Sequence, residues 1–292
     1  MSFTALLPPT FKNDVSRWLS ADCPTTDIGG YVVGEKLEKA LLFCKSSGVI
    51  AGIPFAQAVF DEMDLDVEWR YSEGDEVEAS SAEKVIIAIV SGKCRNILLA
   101  ERTALNILSR ASGVATATKK SVDIAKSNKW HGWVAGTRKT TPGFKAVEKY
   151  ALQVGGGATH RQDLSQMVML KDNHIWSTGS ITNAVSKARA MAGFSMKIEV
   201  ETKSMEEALE AAEAGADIVM LDNFVAKDLH IVADVVKGKH PNIIIEASGG
   251  ITETTMHEYM GPCVDVISRG NLTQGYPCLD FSLKIDPQSD KL

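Results

Sequence analysis

Several common chemistries are missing from this sequence. No apolar stretch approaches the roughly 20 residues needed to cross a bilayer, so no membrane-spanning helix is expected. Residues 1–9 carry no basic segment and are broken by proline, which argues against a signal peptide. A formal net charge of −6 argues against the broad basic face that a nucleic-acid surface needs. The five cysteines (Cys23, Cys44, Cys94, Cys263, Cys278) are scattered without knuckle spacing and read as reduced thiols of an intracellular chain. The six histidines show no H-E-x-x-H pattern, so a histidine-based metal site has no support. Walker and G-x-S-x-G motifs are absent. Gly155-Gly156-Gly157 lacks the G-x-G-x-x-G spacing and the preceding buried strand of a dinucleotide loop. The expected location is the cytoplasm, with the nucleus also open.

What is present is ordinary in bulk and unusual in detail. The 292 residues, 45% hydrophobic and 23% charged, suit one large or two ordinary domains with a real core. Within this acidic chain, Gly136-Thr137-Arg138-Lys139-Thr140-Thr141-Pro142-Gly143 follows an apolar run and delivers two adjacent cations to a turn. Cations at a buried strand end are costly unless an anion meets them. Further basic positions follow at His160-Arg161 and Lys171, again near apolar runs. Together they predict a local pocket for a negatively charged ligand.

Two styles of sequence meet near residue 112. Before it, Leu65, Val67, Trp69 and Tyr71 alternate as on a strand, and Ser72-Glu73-Gly74-Asp75 reads as the turn that follows. Residues 85–90 predict a buried strand ended by Ser91-Gly92. Residues 95–111 predict a helix with Ile97, Leu98, Ala104, Leu105 and Leu108 on one face and Arg102 beside them. After residue 112, strand-like runs at 133–135, 167–170, 197–200, 218–221, 243–247 and 264–267 alternate with helical stretches. One of these carries a capping box, Ser204 with Glu207, and a stop at Gly215. The pattern predicts an α/β chain: a mixed N-terminal domain, then a parallel (β/α) barrel with fewer than eight strands.

In such barrels the chemistry lies at the carboxyl ends of the strands. Read in order, those ends are Arg138-Lys139, Lys171, Glu201, Asp222, Ser248-Gly249-Gly250 and Gly270-Asn271. The glycine loops let backbone N–H groups approach a phosphate. Glu201 and Asp222, from neighbouring strands, suit Mg²⁺ held together with substrate phosphates, or ion pairs with Lys139 and Lys171. Glu199 is a second-choice carboxylate on the same strand face. Asp172-Asn173-His174 are candidate surrounding residues, with a structural role favoured for the histidine. Spacing alone therefore predicts a magnesium-assisted barrel enzyme acting on a phosphorylated substrate and a second anion.

The runs Glu101–Asn106, 136–143, His160-Arg161, 169–174, 199–201, 220–223 and 246–251 resemble the quinolinate phosphoribosyltransferases. The similarity extends in order from Gly29-Gly30-Tyr31 to Asp280-Phe281-Ser282-Leu283. It implies a type II phosphoribosyltransferase fold. An N-terminal α/β sandwich, residues 1–111 rejoined by a tail at 275–292, would accompany an incomplete (β/α) barrel at 112–274. It also implies decarboxylating phosphoribosyl transfer from phosphoribosyl pyrophosphate to quinolinate, with Mg²⁺ and no organic cofactor. By the resemblance, Arg102, Arg138 and Arg161 would hold the two carboxylates, with Thr137, His160 and Lys171 as further contacts. Lys139 and Lys171 would lie between acceptor and pyrophosphate. Glu201 and Asp222 would hold ribose hydroxyls and Mg²⁺, directly or through water, making Lys139, Lys171, Glu201 and Asp222 the catalytic set. Ser248, Gly249, Gly250 and Gly270 would bind the 5′-phosphate. The site would be shared in a homodimer, with Arg102 donated by the partner, and hexamers built from such dimers are a further expectation. A nicotinate-specific transferase and an inactive relative remain the alternatives, disfavoured by the three arginines and by the intact catalytic set respectively.

Overall fold

Alternating apolar residues build the first sheet. The computed structural model describes residues 3–275 and 278–287, so the parts of the expected tail at 276–277 and 288–292 lie outside the described residues. Its elements in chain order are α1 (Phe11–Asp22), α2 (Ile28–Val33), β1 (Leu37–Cys44), β2 (Gly48–Val49), α3 (Ile53–Glu62), β3 (Asp66–Trp69), β4 (Glu76–Val77), β5 (Val85–Lys93) and α4 (Cys94–Ser127). Then come β6 (Trp133–Ala135), α5 (Lys145–Val154), β7 (Val168–Leu170), α6 (Asp172–Thr178), α7 (Ile181–Ala192), β8 (Ile198–Thr202) and α8 (Met205–Glu213). The last are β9 (Ile218–Asp222), α9 (Ala226–Lys239), β10 (Ile244–Ser248), β11 (Val266–Ser268) and β12 (Phe281–Ile285).

One compact unit comprises the residues up to Lys119, Thr140–Gly156 and those from Gly275 on. Its main sheet has the order β12-β1-β5-β3, antiparallel throughout. On β1, Ala40, Leu42 and Cys44 are buried and their neighbours are not, the period-2 pattern of a sheet with one core face. Leu283 on β12 lies opposite Leu42 in the ladder. β5 does not stop at Ser91-Gly92 as expected, because Ser91 and Gly92 pair with Lys39 and Glu38 of β1 and carry the strand to Lys93. The turn at Ser72–Asp75 forms: Asp75 N–H bonds Ser72 O at 3.2 Å, and Ser72 N–H bonds the Asp75 carboxylate at 2.7 Å.

The helix expected at 95–111 continues to Ser127, and the two compact units meet within it at Lys119/Lys120. Leu98 is exposed, unlike the rest of its predicted stripe. Residues 140–156, expected within the barrel, belong to the first unit. Tyr150 of α5 meets Phe55 edge-on at 5.6 Å, and the fully buried Glu148 takes an ion pair from Arg110 at 2.8 Å.

The second unit comprises Lys120–Lys139 and Gly157–Gln274. All six expected strands form one parallel sheet in the order β6-β11-β10-β9-β8-β7. The edge strands are β6 and β7, and β6 gains one further bridge, Ala135 with Ala158. Ser204 caps α8 by accepting Glu207 N–H at 3.2 Å. The Glu207 carboxylate reaches back one residue further than a capping box predicts, to Lys203 N–H at 2.7 Å. Gly215, at φ +92, ends the turn after α8.

The tail strand should be integral to the first sheet. Leu283→Ala should lower stability by roughly 2–5 kcal/mol, the usual cost of truncating a buried leucine, read as a fall in the urea midpoint.

Candidate functional site

Parallel pairing sends all six strand ends to one cavity of about 700 Å³. Thr137, Arg138, Lys139, His160, Arg161, Lys171, Glu201, Asp222, Ser248, Gly249, Gly250 and Gly270 all line it. Both edge strands contribute, through Arg138 after β6 and Lys171 after β7. A flat six-stranded sheet would hold those edges about 24 Å apart at ordinary strand spacing, so the sheet is curled around the cavity. Arg102 is not among the lining residues. It lies on α4 in the first unit, its side chain 61% exposed and 4.0 Å from Glu101.

Spatial order differs from chain order and regroups the charges. Since β6 pairs with β11, Lys139 stands beside the second glycine loop instead of beside Lys171. A Cβ on Gly270 would lie 3.0 Å from Lys139 Cδ. Thr137 Oγ1 accepts Lys139 N–H at 3.1 Å, and Thr273 Oγ1 donates to Lys139 O at 2.8 Å, so the cationic turn is tied at both ends. In the first glycine loop, Gly249 has φ +91, and a Cβ there would meet Asn223 Oδ1 at 2.3 Å. Only glycine fits that close approach. Gly250 follows at φ +63.

On the rim, Lys171 Nζ pairs with Glu201, and Lys203 Nζ with Asp172. Burial and the Glu201 charge raise the Asp222 pKa against the opposing pull of Lys171, Lys203 and Lys139. Two carboxylates at neighbouring strand ends, one already strained by the other's charge, fit a divalent cation. Arg161 is 9% exposed, and burial followed by Arg138 lowers its pKa. A buried guanidinium whose charge is disfavoured by a second one beside it marks a site for an anion. His174 has the structural role expected, its Nδ1 accepting Lys171 N–H at 3.2 Å at the start of α6.

Beneath the rim lies a cluster that the sequence reading reached only in part. His160 Nε2 is 3.1 Å from Glu246 Oε2 and 3.4 Å from Glu199 Oε2, and both carboxylates are almost wholly buried. Glu246 sits two residues before Ser248 in β10 and opens the 246–251 run; period-2 alternation could have placed it on the cavity face, but the sequence alone assigns it no role. Burial disfavours the imidazolium, yet the two carboxylates outweigh it and push the His160 pKa up to about 10. Nδ1 accepts Arg161 N–H at 2.8 Å, so the proton facing the carboxylates is on Nε2. A second ring proton must displace that contact, which opposes the upward shift. The same bond bears on metal binding. A metal-bound imidazole normally donates its other N–H, whereas His160 Nδ1 accepts, so this trio holds a proton in preference to a metal.

Because the folded His160 pKa of about 10 exceeds the unfolded value of about 6.5, the imidazolium's contribution is lost as pH rises toward 10. Burial and then Glu246 raise the Glu199 pKa to about 7, so that carboxylate gives up its charge as pH falls through this value. Glu246→Gln removes one of the two carboxylates. It should move the His160 ring titration to lower pH, followed by imidazole NMR signals; an unchanged titration would contradict the arrangement.

Comparison with known proteins agrees with this geometry. A profile described as "Quinolinate phosphoribosyl transferase, C-terminal domain" matches residues 114–284, and its N-terminal counterpart matches residues 27–112. The carboxylating nicotinate-nucleotide pyrophosphorylase of Rattus norvegicus is 49% identical over 98% of this chain and 94% of its own. That of Homo sapiens is 48% identical over 96% of this chain and 93% of its own. The solved structure of the nicotinate-nucleotide pyrophosphorylase from Francisella tularensis superposes with a TM-score of 0.85 at 33% identity. It covers 94% of this chain and 97% of its own. On these matches, spanning both units, the chain belongs to the quinolinate phosphoribosyltransferase family.

Proposed function

We propose that the chain converts quinolinate and phosphoribosyl pyrophosphate into nicotinate mononucleotide, pyrophosphate and CO₂, a step of de novo NAD synthesis. The observation that carries this reading is the segregation of charge around one cavity. Arg138 and Arg161 gather on one arc, Glu201 and Asp222 on another, and the glycine loops after β10 and β11 on a third.

Each arc suits one part of the reaction. Arg138 and Arg161 bind the vicinal carboxylates of the acceptor through forked, charge-assisted hydrogen bonds. Ser248, Gly249, Gly250 and Gly270 receive the 5′-phosphate, and Lys139, next to Gly270, reaches toward the pyrophosphate. Lys171, paired with Glu201, stands between acceptor and donor. Glu201 and Asp222 hold the ribose hydroxyls and stabilise positive charge at the anomeric carbon. They are also the residues that would hold Mg²⁺, which would neutralise the pyrophosphate of the donor. The pyridine nitrogen attacks the anomeric carbon as pyrophosphate leaves. The positive ring nitrogen then stabilises the electron pair left on the ring when CO₂ departs, and that carbon takes up a proton.

Arg102 belongs to this reading as a residue donated across a homodimer, consistent with its exposure on α4. A hexamer of three such dimers is the larger assembly expected.

Purified protein given Mg²⁺ and phosphoribosyl pyrophosphate should release CO₂ and pyrophosphate with quinolinate; turnover of nicotinate alone would sink the reading. Arg138→Ala should weaken quinolinate roughly 10- to 100-fold, the loss of one charge-assisted contact of about 1.5–3 kcal/mol, with little change for the donor in calorimetry. For the shared site, inactive Arg102→Ala mixed with inactive Glu201→Ala should regain activity on subunit exchange. No recovery in confirmed mixed dimers would count against it.

A further inference from the structure

The phosphate end of the cavity contains a cation that the proposed reaction has not used. Arg269 lines the cavity between β11 and Gly270, and it is 5% exposed. Its backbone N–H is spent on Ala135 O at 2.9 Å. The guanidinium makes contacts on three sides. Nε donates to Ile251 O at 3.3 Å, next to Gly250; Nη1 donates to Ser121 Oγ of α4 and lies 3.7 Å from Met256 Sδ. One side chain thus ties the loop after β10 to the loop after β11. Nη2 makes no hydrogen bond among the described residues, and none of their carboxylates lies within ion-pair distance of this guanidinium. Glu253 acts on it only from further away, and burial lowers its pKa.

A buried guanidinium without a carboxylate at ion-pair distance is costly, and Gly249, Gly250 and Gly270 bring no side chain of their own to offset it. A phosphate seated on the backbone N–H groups of those loops would supply the missing negative charge. We infer that Arg269 is a positioning residue and counter-charge for the donor's 5′-phosphate, holding both glycine loops and fixing positive charge beneath them. The inference rests on the proposed reaction and adds to it a residue for donor binding.

Ribose 5-phosphate, which carries this phosphate but no pyrophosphate, is the probe. Calorimetry of Arg269→Gln should show ribose 5-phosphate and phosphoribosyl pyrophosphate binding weakened by roughly tenfold or more, and quinolinate binding preserved. Arg269→Lys, which keeps the charge but not the fork, should recover part of the loss. On the unmodified protein, ribose 5-phosphate should shift the Arg269 Nε–H NMR signal, and quinolinate should not. That readout stands even if a variant fails to fold. Wild-type affinity of Arg269→Gln for ribose 5-phosphate, equal loss of quinolinate, or an unmoved Nε–H signal would each overturn the inference. Its failure in a protein that still turns over quinolinate would leave the proposed reaction intact; a wild type that binds no donor would remove both.

Discussion

Because all six strands of the second unit pair in parallel, their carboxyl ends must meet on one side, and every loop that follows a strand arrives at the same cavity. The rest of the site depends on this. No two of Arg138, Lys171, Glu201, Asp222, Ser248 and Gly270 follow the same strand, yet register brings them to a common rim. Curling of the sheet then decides neighbours. Pairing of β6 with β11 sets Lys139 against the second glycine loop, a proximity that chain order conceals.

The cavity sets buried acids close to its cations. Below Arg138 and Arg161 lie His160, Glu199 and Glu246, and three of the buried carboxylate oxygens have no hydrogen-bond partner among the described residues. Burial alone would make such a floor costly, and the Nε2 proton of His160 is what keeps it tolerable.

Much of this was legible in the sequence because the signals are local. Apolar runs of three to five residues with glycine- or charge-bearing ends mark β6 to β11, and Ser204 marks the start of α8 by the chemistry of its own hydroxyl. What escaped depends on partners far away in sequence. Ser91-Gly92 reads as a stop, but β1 offers both residues ladder partners. Residues 140–156 read as barrel, but Glu148 and Tyr150 find Arg110 and Phe55. Glu246 is hidden inside an apolar strand, and only the approach of His160 from 86 residues away gives it a task. Arg269 carries no signal in the sequence, and its place is set by contacts with Ile251 and Ser121.

β12 has a consequence for how the molecule is made. The central strand β1 has β5 on one side and β12 on the other, and β12 is synthesised after every strand of the parallel sheet. During synthesis, β1 therefore emerges early and keeps an open flank until residues 281–285 leave the ribosome. Unpaired strand edges of this kind are where nascent chains associate wrongly. The first unit to be translated is thus the last to be completed, and a chain stalled within the barrel would carry an exposed β1 edge.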